Sequence, residues 1–184
     1  MAVVNPIIFQ VVGYQNSGKT TFMTKIIEIL SKEKWSVATI KHHGHGGQPD
    51  VVKDKDTSRH IEAGAMCSVA EGNGRLILHA EQSCFDLSRQ IQLVSSLHPD
   101  LILVEGHKRS EFPKVVLLRD QLEDYKLVED VNNIKVVFNW SQVLPNNVPE
   151  VPCFHINDEK GLQWLIDYLK NQRQSNKDMT KRRQ

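Results

Sequence analysis

Residues 13–20 read Gly-Tyr-Gln-Asn-Ser-Gly-Lys-Thr, which is two glycines, a lysine and a hydroxyl at the spacing G-x-x-x-x-G-K-[ST]. These are the parts needed to hold a polyphosphate. Gly13 and Gly18 allow a tight turn whose backbone N–H groups converge on the β-phosphate. Lys19 then reaches the β- and γ-phosphates, and the Thr20 hydroxyl ligates magnesium. A helix starting at the same place adds its positive end. A purely structural glycine turn is the competing reading. Four fixed positions match by chance in a chain of this length about one time in a hundred, and a strand before with a helix after lowers that further.

Nucleotide chemistry also needs acids. Glu105 closes the apolar run in HPDLILVEGHK, at the sheet edge where the loop itself lies. A carboxylate there holds magnesium through water or orients an attacking water, whereas the bland alternative is a solvated strand-end acid. Gly106, directly after it, points to close approach of another group. In KHHGHGGQPDVVKDKDTSRH the histidines His42, His43 and His45 are candidate metal ligands. Adjacent rings with no cysteine nearby favour a phosphate- or substrate-binding loop over a dedicated metal site. Asp54, Asp56 and Arg59 supply a catalytic carboxylate and a phosphate-pairing guanidinium on the second strand's side. A solvated charged turn is the equal alternative for them.

These groups require a scaffold, and the hydrophobic pattern supplies one. Ile7–Gly13 is a continuous apolar run, as in a strand covered on both faces of a parallel sheet. Phe22, Ile26, Ile27 and Leu30 predict a helix over residues 18–34, and Ser36–Lys41 predicts the next strand. A short helical segment carries Ile61, Ala63 and Ala65. Met66–Glu71 and Arg75–Glu81 flank Gly72-Asn73-Gly74 as an antiparallel hairpin. Ser83 with Asp86 resembles a capping box ahead of Leu87, Ile91, Val94 and Leu97. Strands follow at Leu101–Glu105, Lys114–Leu118, Ile134–Phe138 and Cys153–Ile156. A last amphipathic helix on Leu162, Leu165, Ile166 and Leu169 is capped by Asn157 or Asp158.

The fold expected is α/β of the P-loop NTPase type, a mostly parallel sheet flanked by helices with an antiparallel hairpin extension. One domain over residues 1–173 is expected, with 174–184 as a disordered basic tail. The 23 basic and 22 acidic side chains nearly cancel, so no overall field calls for nucleic acid or an acidic membrane surface. Three cysteines at separated positions suit a reducing cytoplasm rather than a disulfide framework. No apolar stretch approaches the ~20 residues of a membrane span.

In this order and spacing, GYQNSGKTT, IKHHGH, DKDTSRHIEAGA and DLILVEGHKRSEFPK resemble the MobB family, molybdopterin-guanine dinucleotide biosynthesis protein B. The resemblance runs over about residues 7–120. It implies a dimeric, GTPase-like protein that assists the guanylyltransferase MobA in attaching GMP to molybdopterin. By the same resemblance Gly13, Ser17, Gly18, Lys19, Thr20 and Thr21 bind GTP and magnesium, Asn16 belongs to the loop, and Glu105 to the magnesium shell. Asp56 and Arg59 lie near the phosphates, and His42, Gly106 and Lys108 lie at the site. The guanine-reading NKxD signature is absent, since Ile134–Phe138 runs into Asn139-Trp140. Guanine preference is therefore implied by the resemblance alone. With no arginine finger and no water-orienting glutamine in view, hydrolysis is expected to be slower than ~1 s⁻¹ without a partner. Two rival functions share the loop. One is a metallochaperone GTPase using the histidine-rich stretch, and the other a small-molecule kinase. The hairpin strands are natural places for a two-fold partner to dock.

Overall fold

Apolar side chains alternate between two packing layers along β1 (Ile7–Gly13). Ile7, Phe9 and Val11 enter one layer and Val12 the other. The computed structural model describes residues 5–43, 56–141 and 150–182. Among these, β2 (Val37–Lys41), β5 (Leu101–Glu105), β6 (Lys114–Leu118), β7 (Ile134–Asn139) and β8 (Cys153–His155) join β1 in a parallel sheet of order β2-β5-β1-β6-β7-β8. Every strand points the same way, so all C-terminal ends share one edge.

Helices cover the faces because each has one apolar stripe. In α1 (Lys19–Lys32) the buried positions are Phe22, Met23, Ile26 and Leu30. The helix ends when Lys34 turns to φ +65°. There the Lys34 and Trp35 N–H groups donate to the carbonyls of Ser31 and Leu30, the Schellman arrangement. α1 and α5 (Glu159–Arg182) supply Ile26, Leu30, Leu165 and Leu169 to the layer that holds Phe9, Leu103 and Phe138. On the other face α4 (Leu122–Asp130) brings Leu127 and Val128 against Val12, Val116 and Val137. No helix was expected over residues 122–130, where the apolar positions are too few and too closely set to show a period.

Contacts group into two units, residues 1–42 with 90–184 and residues 43–89, where one domain over 1–173 was expected. The second unit holds α2 (Asp56–Glu62) and an antiparallel pair, β3 (Cys67–Gly72) with β4 (Arg75–Ala80). Asn73 and Gly74 both have positive φ, 55° and 75°, as a two-residue hairpin turn of the mirror-image type demands. α3 (Leu87–Ser95) begins in this unit, and Asp86 rather than Ser83 caps it, accepting from the Arg89 N–H at 2.8 Å. Asp158 caps α5 through the Lys160 N–H, also at 2.8 Å.

The stretch after Arg173 is helical to Arg182, not a disordered tail. Its apolar content is low, but side chains one turn apart support it. Gln174 donates to Asp178 at 3.0 Å, and the Ser175 hydroxyl to the Asn171 carbonyl. Such pairs extend a helix that packing has already started.

Candidate functional site

At the C-terminal edge of the sheet β1 gives way to the glycine-containing turn. A Cβ added to Gly13 would fall 2.4 Å from Ser17 Oγ and 2.8 Å from the Leu117 carbonyl oxygen. Only glycine lets the loop close against β6 this way. Gly18 takes φ +88°, the left-handed region, immediately before α1. Asn16 is also left-handed, at φ 61°. The N–H groups of Lys19, Thr20 and Thr21 open the helix, where backbone donors have no partner within it. Ser17 is fully buried, and its Oγ has no hydrogen-bond partner among the described residues. A tight turn that admits no side chain at Gly13, leading straight into the open N–H groups of a helix start, has the shape and chemistry of an anion cradle.

The Lys19 ammonium lies over this turn, donating to the carbonyls of Gly13 at 3.0 Å and Tyr14 at 2.6 Å. Burial pushes its pKa below the usual lysine value; Glu105 opposes that shift and Lys41 adds to it. Tyr14 and Gln15 are held from the side. Arg119, just past β6, donates to the Gln15 carbonyl at 3.2 Å and grips fully buried Asp124 with several hydrogen bonds, the shortest 2.6 Å from its backbone N–H and 2.7 Å from its guanidinium. The guanidinium of Arg119 and the ammonium of Lys108 sit 5.5 Å and 5.2 Å from the centre of the Tyr14 ring, within cation–π range.

Glu105 ends β5 on the other side of β1 and is only 8% exposed. Its two oxygens accept from Lys41 Nζ at 3.0 and 3.1 Å. Lys41 stands directly opposite it in the β2–β5 register. The chain beyond Glu105 is anchored by Gln10, a buried polar residue within β1, whose Nε2 donates to the carbonyls of Gly106 and His107 at 3.0 and 2.9 Å. The His42 and His107 rings approach to 4.5 Å between centroids. Burial, then the neighbouring His42, lowers the His107 pKa. Gly106 packs against His42, as its neighbourhood to Glu105 suggested.

The first unit thus brings together the loop residues Gly13–Thr21, His42, Glu105, Gly106 and Lys108. Asp56 and Arg59 belong to α2 of the second unit, and His43 is the first residue of that unit, outside any helix or strand. His45 and Asp54 lie outside the described residues. Among the described residues no group of three or more histidines, cysteines or acids is gathered to hold a metal ion. Magnesium keeps most of its waters and leans on phosphate oxygens with one or two protein ligands, and a hydroxyl and a carboxylate such as those of Thr20 and Glu105 are the oxygen donors it takes. The residues to which the sequence gave no role at the site are Gln10, Lys41, the Arg119–Asp124 pair and Trp140. Gln10 carried a signal, being polar inside a doubly covered strand. The others carried none.

A six-stranded parallel sheet, with this turn between its P-loop strand and the first helix, defines the P-loop NTPase class. The family model described as "Molybdopterin guanine dinucleotide synthesis protein B" matches residues 8–140. The probable molybdopterin-guanine dinucleotide biosynthesis adapter protein of Bacillus subtilis is 39% identical over 174 residues, covering 94% of this chain and 99% of that one. Crystal structures of MobB from B. subtilis and of a MobB homologue from Bacillus stearothermophilus superpose with TM-scores of 0.76 and 0.72, at 37% and 33% identity. They cover 88% and 89% of this chain and 96% and 98% of theirs. The chain belongs to the MobB family.

Proposed function

We propose that this protein binds GTP with magnesium and acts as an accessory factor in molybdenum cofactor biosynthesis, beside the guanylyltransferase MobA when GMP is joined to molybdopterin. The observation that carries this reading is the Gly13–Thr20 cradle with Lys19 over it and Glu105 one strand away, in a chain whose relatives are named for that pathway. Lys19 exchanges two loop carbonyls for phosphate oxygens, and Glu105 turns from Lys41 towards the hydrated magnesium. Hydrolysis is slow in this scheme. The measurement is calorimetric titration with magnesium-GTP and magnesium-ATP, followed by reconstituted molybdopterin guanine dinucleotide synthesis by MobA with and without this protein. GTP is expected to bind more tightly and the protein to raise dinucleotide yield; equal affinities would remove the guanine preference, and an unchanged yield the accessory role.

Glu105 has a separable signature. In Glu105→Gln the ratio of GTP affinity with magnesium to that with a chelator should shrink by about tenfold, the scale of one charge-assisted contact. Calorimetry in the two buffers reads it, and an unchanged ratio places the metal elsewhere.

The hairpin supports a homodimer. Val69 and Leu76 on one face of the pair and Ile77 on the other are each more than half exposed, apolar side chains beside two open strand edges of the kind a partner covers. Sedimentation should show wild type at twice the chain mass and Ile77→Asp at the monomer mass, with nucleotide affinity retained. A monomeric wild type would exclude this surface as a dimer contact.

A further inference from the structure

Trp140 belongs to neither packing layer, yet it is fixed in place. It is 46% exposed, while its Nε1–H donates to the Ser17 carbonyl at 3.2 Å. Its Cζ2 lies 3.3 Å from where a Gly18 Cβ would stand. Its backbone N–H donates to the Leu118 carbonyl at 3.0 Å, and the preceding Asn139 carbonyl accepts from Ile156 at 2.7 Å. An indole is thus bolted by its edge and its N–H to the rim of the phosphate cradle, with much of its surface open to solvent. A brace for the loop would need the edge contacts alone. Exposing a large rigid aromatic surface has a cost, and that surface suits a planar ligand.

The sheet order says which part of a ligand arrives there. Glu105, the magnesium-side carboxylate, is on β5, one strand to one side of the loop strand β1. Trp140 follows β7, two strands to the other side, about 10 Å from β1 at ordinary strand spacing. A nucleoside triphosphate whose γ-phosphate faces Glu105 and whose β-phosphate sits in the cradle must run towards β6 and β7, carrying its base to that end.

We propose that Trp140 is the stacking platform for the nucleobase, supplying base affinity at the strand end where no NKxD signature stands; this rests on the nucleotide-binding reading of the Gly13–Thr20 loop. Stacking reads the face of a ring and not its hydrogen-bonding edge, so the platform holds guanine and adenine alike. Trp140 therefore raises affinity for both nucleotides without choosing between them, and any guanine preference is set by groups touching the base edge.

The test compares magnesium-GTP, magnesium-ATP and inorganic tripolyphosphate, which has the phosphates and no base. In Trp140→Ala, affinity for GTP and ATP should each fall about tenfold, the scale of one base–aromatic stack, while tripolyphosphate affinity is unchanged. Trp140→Phe should keep most of the nucleotide affinity. Wild-type tryptophan fluorescence should be quenched by GTP and not by tripolyphosphate, and the quenching should be absent in Trp140→Phe. An equal loss for tripolyphosphate and nucleotides in Trp140→Ala would make Trp140 a brace for the loop and overturn the stacking role. Unchanged GTP affinity would overturn it as well, leaving the phosphate cradle standing. Wild type binding neither nucleotide nor tripolyphosphate would overturn the loop reading and the platform with it.

Discussion

Lys19→Ala is expected to lose about two orders of magnitude in GTP affinity by calorimetry while keeping its fold. The ammonium is a full positive charge lying over the loop, on the carbonyls of Gly13 and Tyr14. A charge-assisted contact to phosphate in a partly desolvated turn contributes about 2–3 kcal/mol. The fold does not need the charge, since burial already disfavours it, as the lowered pKa shows. That shift has a pH consequence whose sign is definite. A lysine with its folded pKa below the unfolded value leaves the unfolded chain holding more protons in the window between the two. The unliganded protein therefore gains stability from this group as pH rises through that window, and the gain is missing in Lys19→Ala. GTP affinity moves the opposite way, falling with rising pH as the ammonium is lost. Wild-type melting temperatures and affinities across the alkaline range, set against the variant, read both trends. A variant that binds GTP as tightly as wild type would remove the cradle from the account.

Phe138→Ala should destabilise the protein by about 3–5 kcal/mol in urea denaturation, the usual cost of emptying a buried aromatic site. Phe138 is fully buried in β7. Its ring meets Phe22 of α1 edge-on at 4.7 Å and lies 5.7 Å from Phe154 of β8. A Cβ added at Gly161 would stand 2.9 Å from it, so α5 closes down on the same ring. Three elements thus converge on one side chain, and little freedom remains to collapse the hole. Phe22 is on the helix that Lys19 begins, and Trp140 is two residues beyond Phe138. The ring therefore also ties the phosphate end of the site to the proposed base end. Phe138→Leu, which keeps an apolar side chain of similar reach, should cost about 1.5 kcal/mol or less. Equal midpoints for Phe138→Ala and wild type would show that the packing around the ring is not what holds β7 to α1.

Much of the scaffold was legible because apolar period and turn chemistry are local. The run Ile7–Gly13, the stripe through Phe22 and Leu30 and the Asn73-Gly74 turn each declare themselves within a few residues. α4 did not, because Leu127, Val128 and Val131 are set among acids and spaced too closely to reveal a face. The residues beyond Arg173 misled for the opposite reason. Low apolar content suggested disorder, whereas a helix already anchored by Leu165, Ile166 and Leu169 continues cheaply through polar residues that pair one turn apart.

By itself the amino-acid order determined the glycine turn proposed to bind phosphate, since Gly13, Gly18, Lys19 and Thr20 lie within eight residues and the chemistry proposed for them is mostly backbone chemistry. It also determined that Glu105 ends a buried strand. Only the tertiary structure decided what surrounds them: Lys41 on Glu105 across 64 residues, and the Trp140 indole on Ser17 across 123. Those partners meet because of the strand order β2-β5-β1-β6-β7. Which parallel strands become neighbours is set by how the helices pack over both faces, a property of the whole chain that no short stretch of it carries.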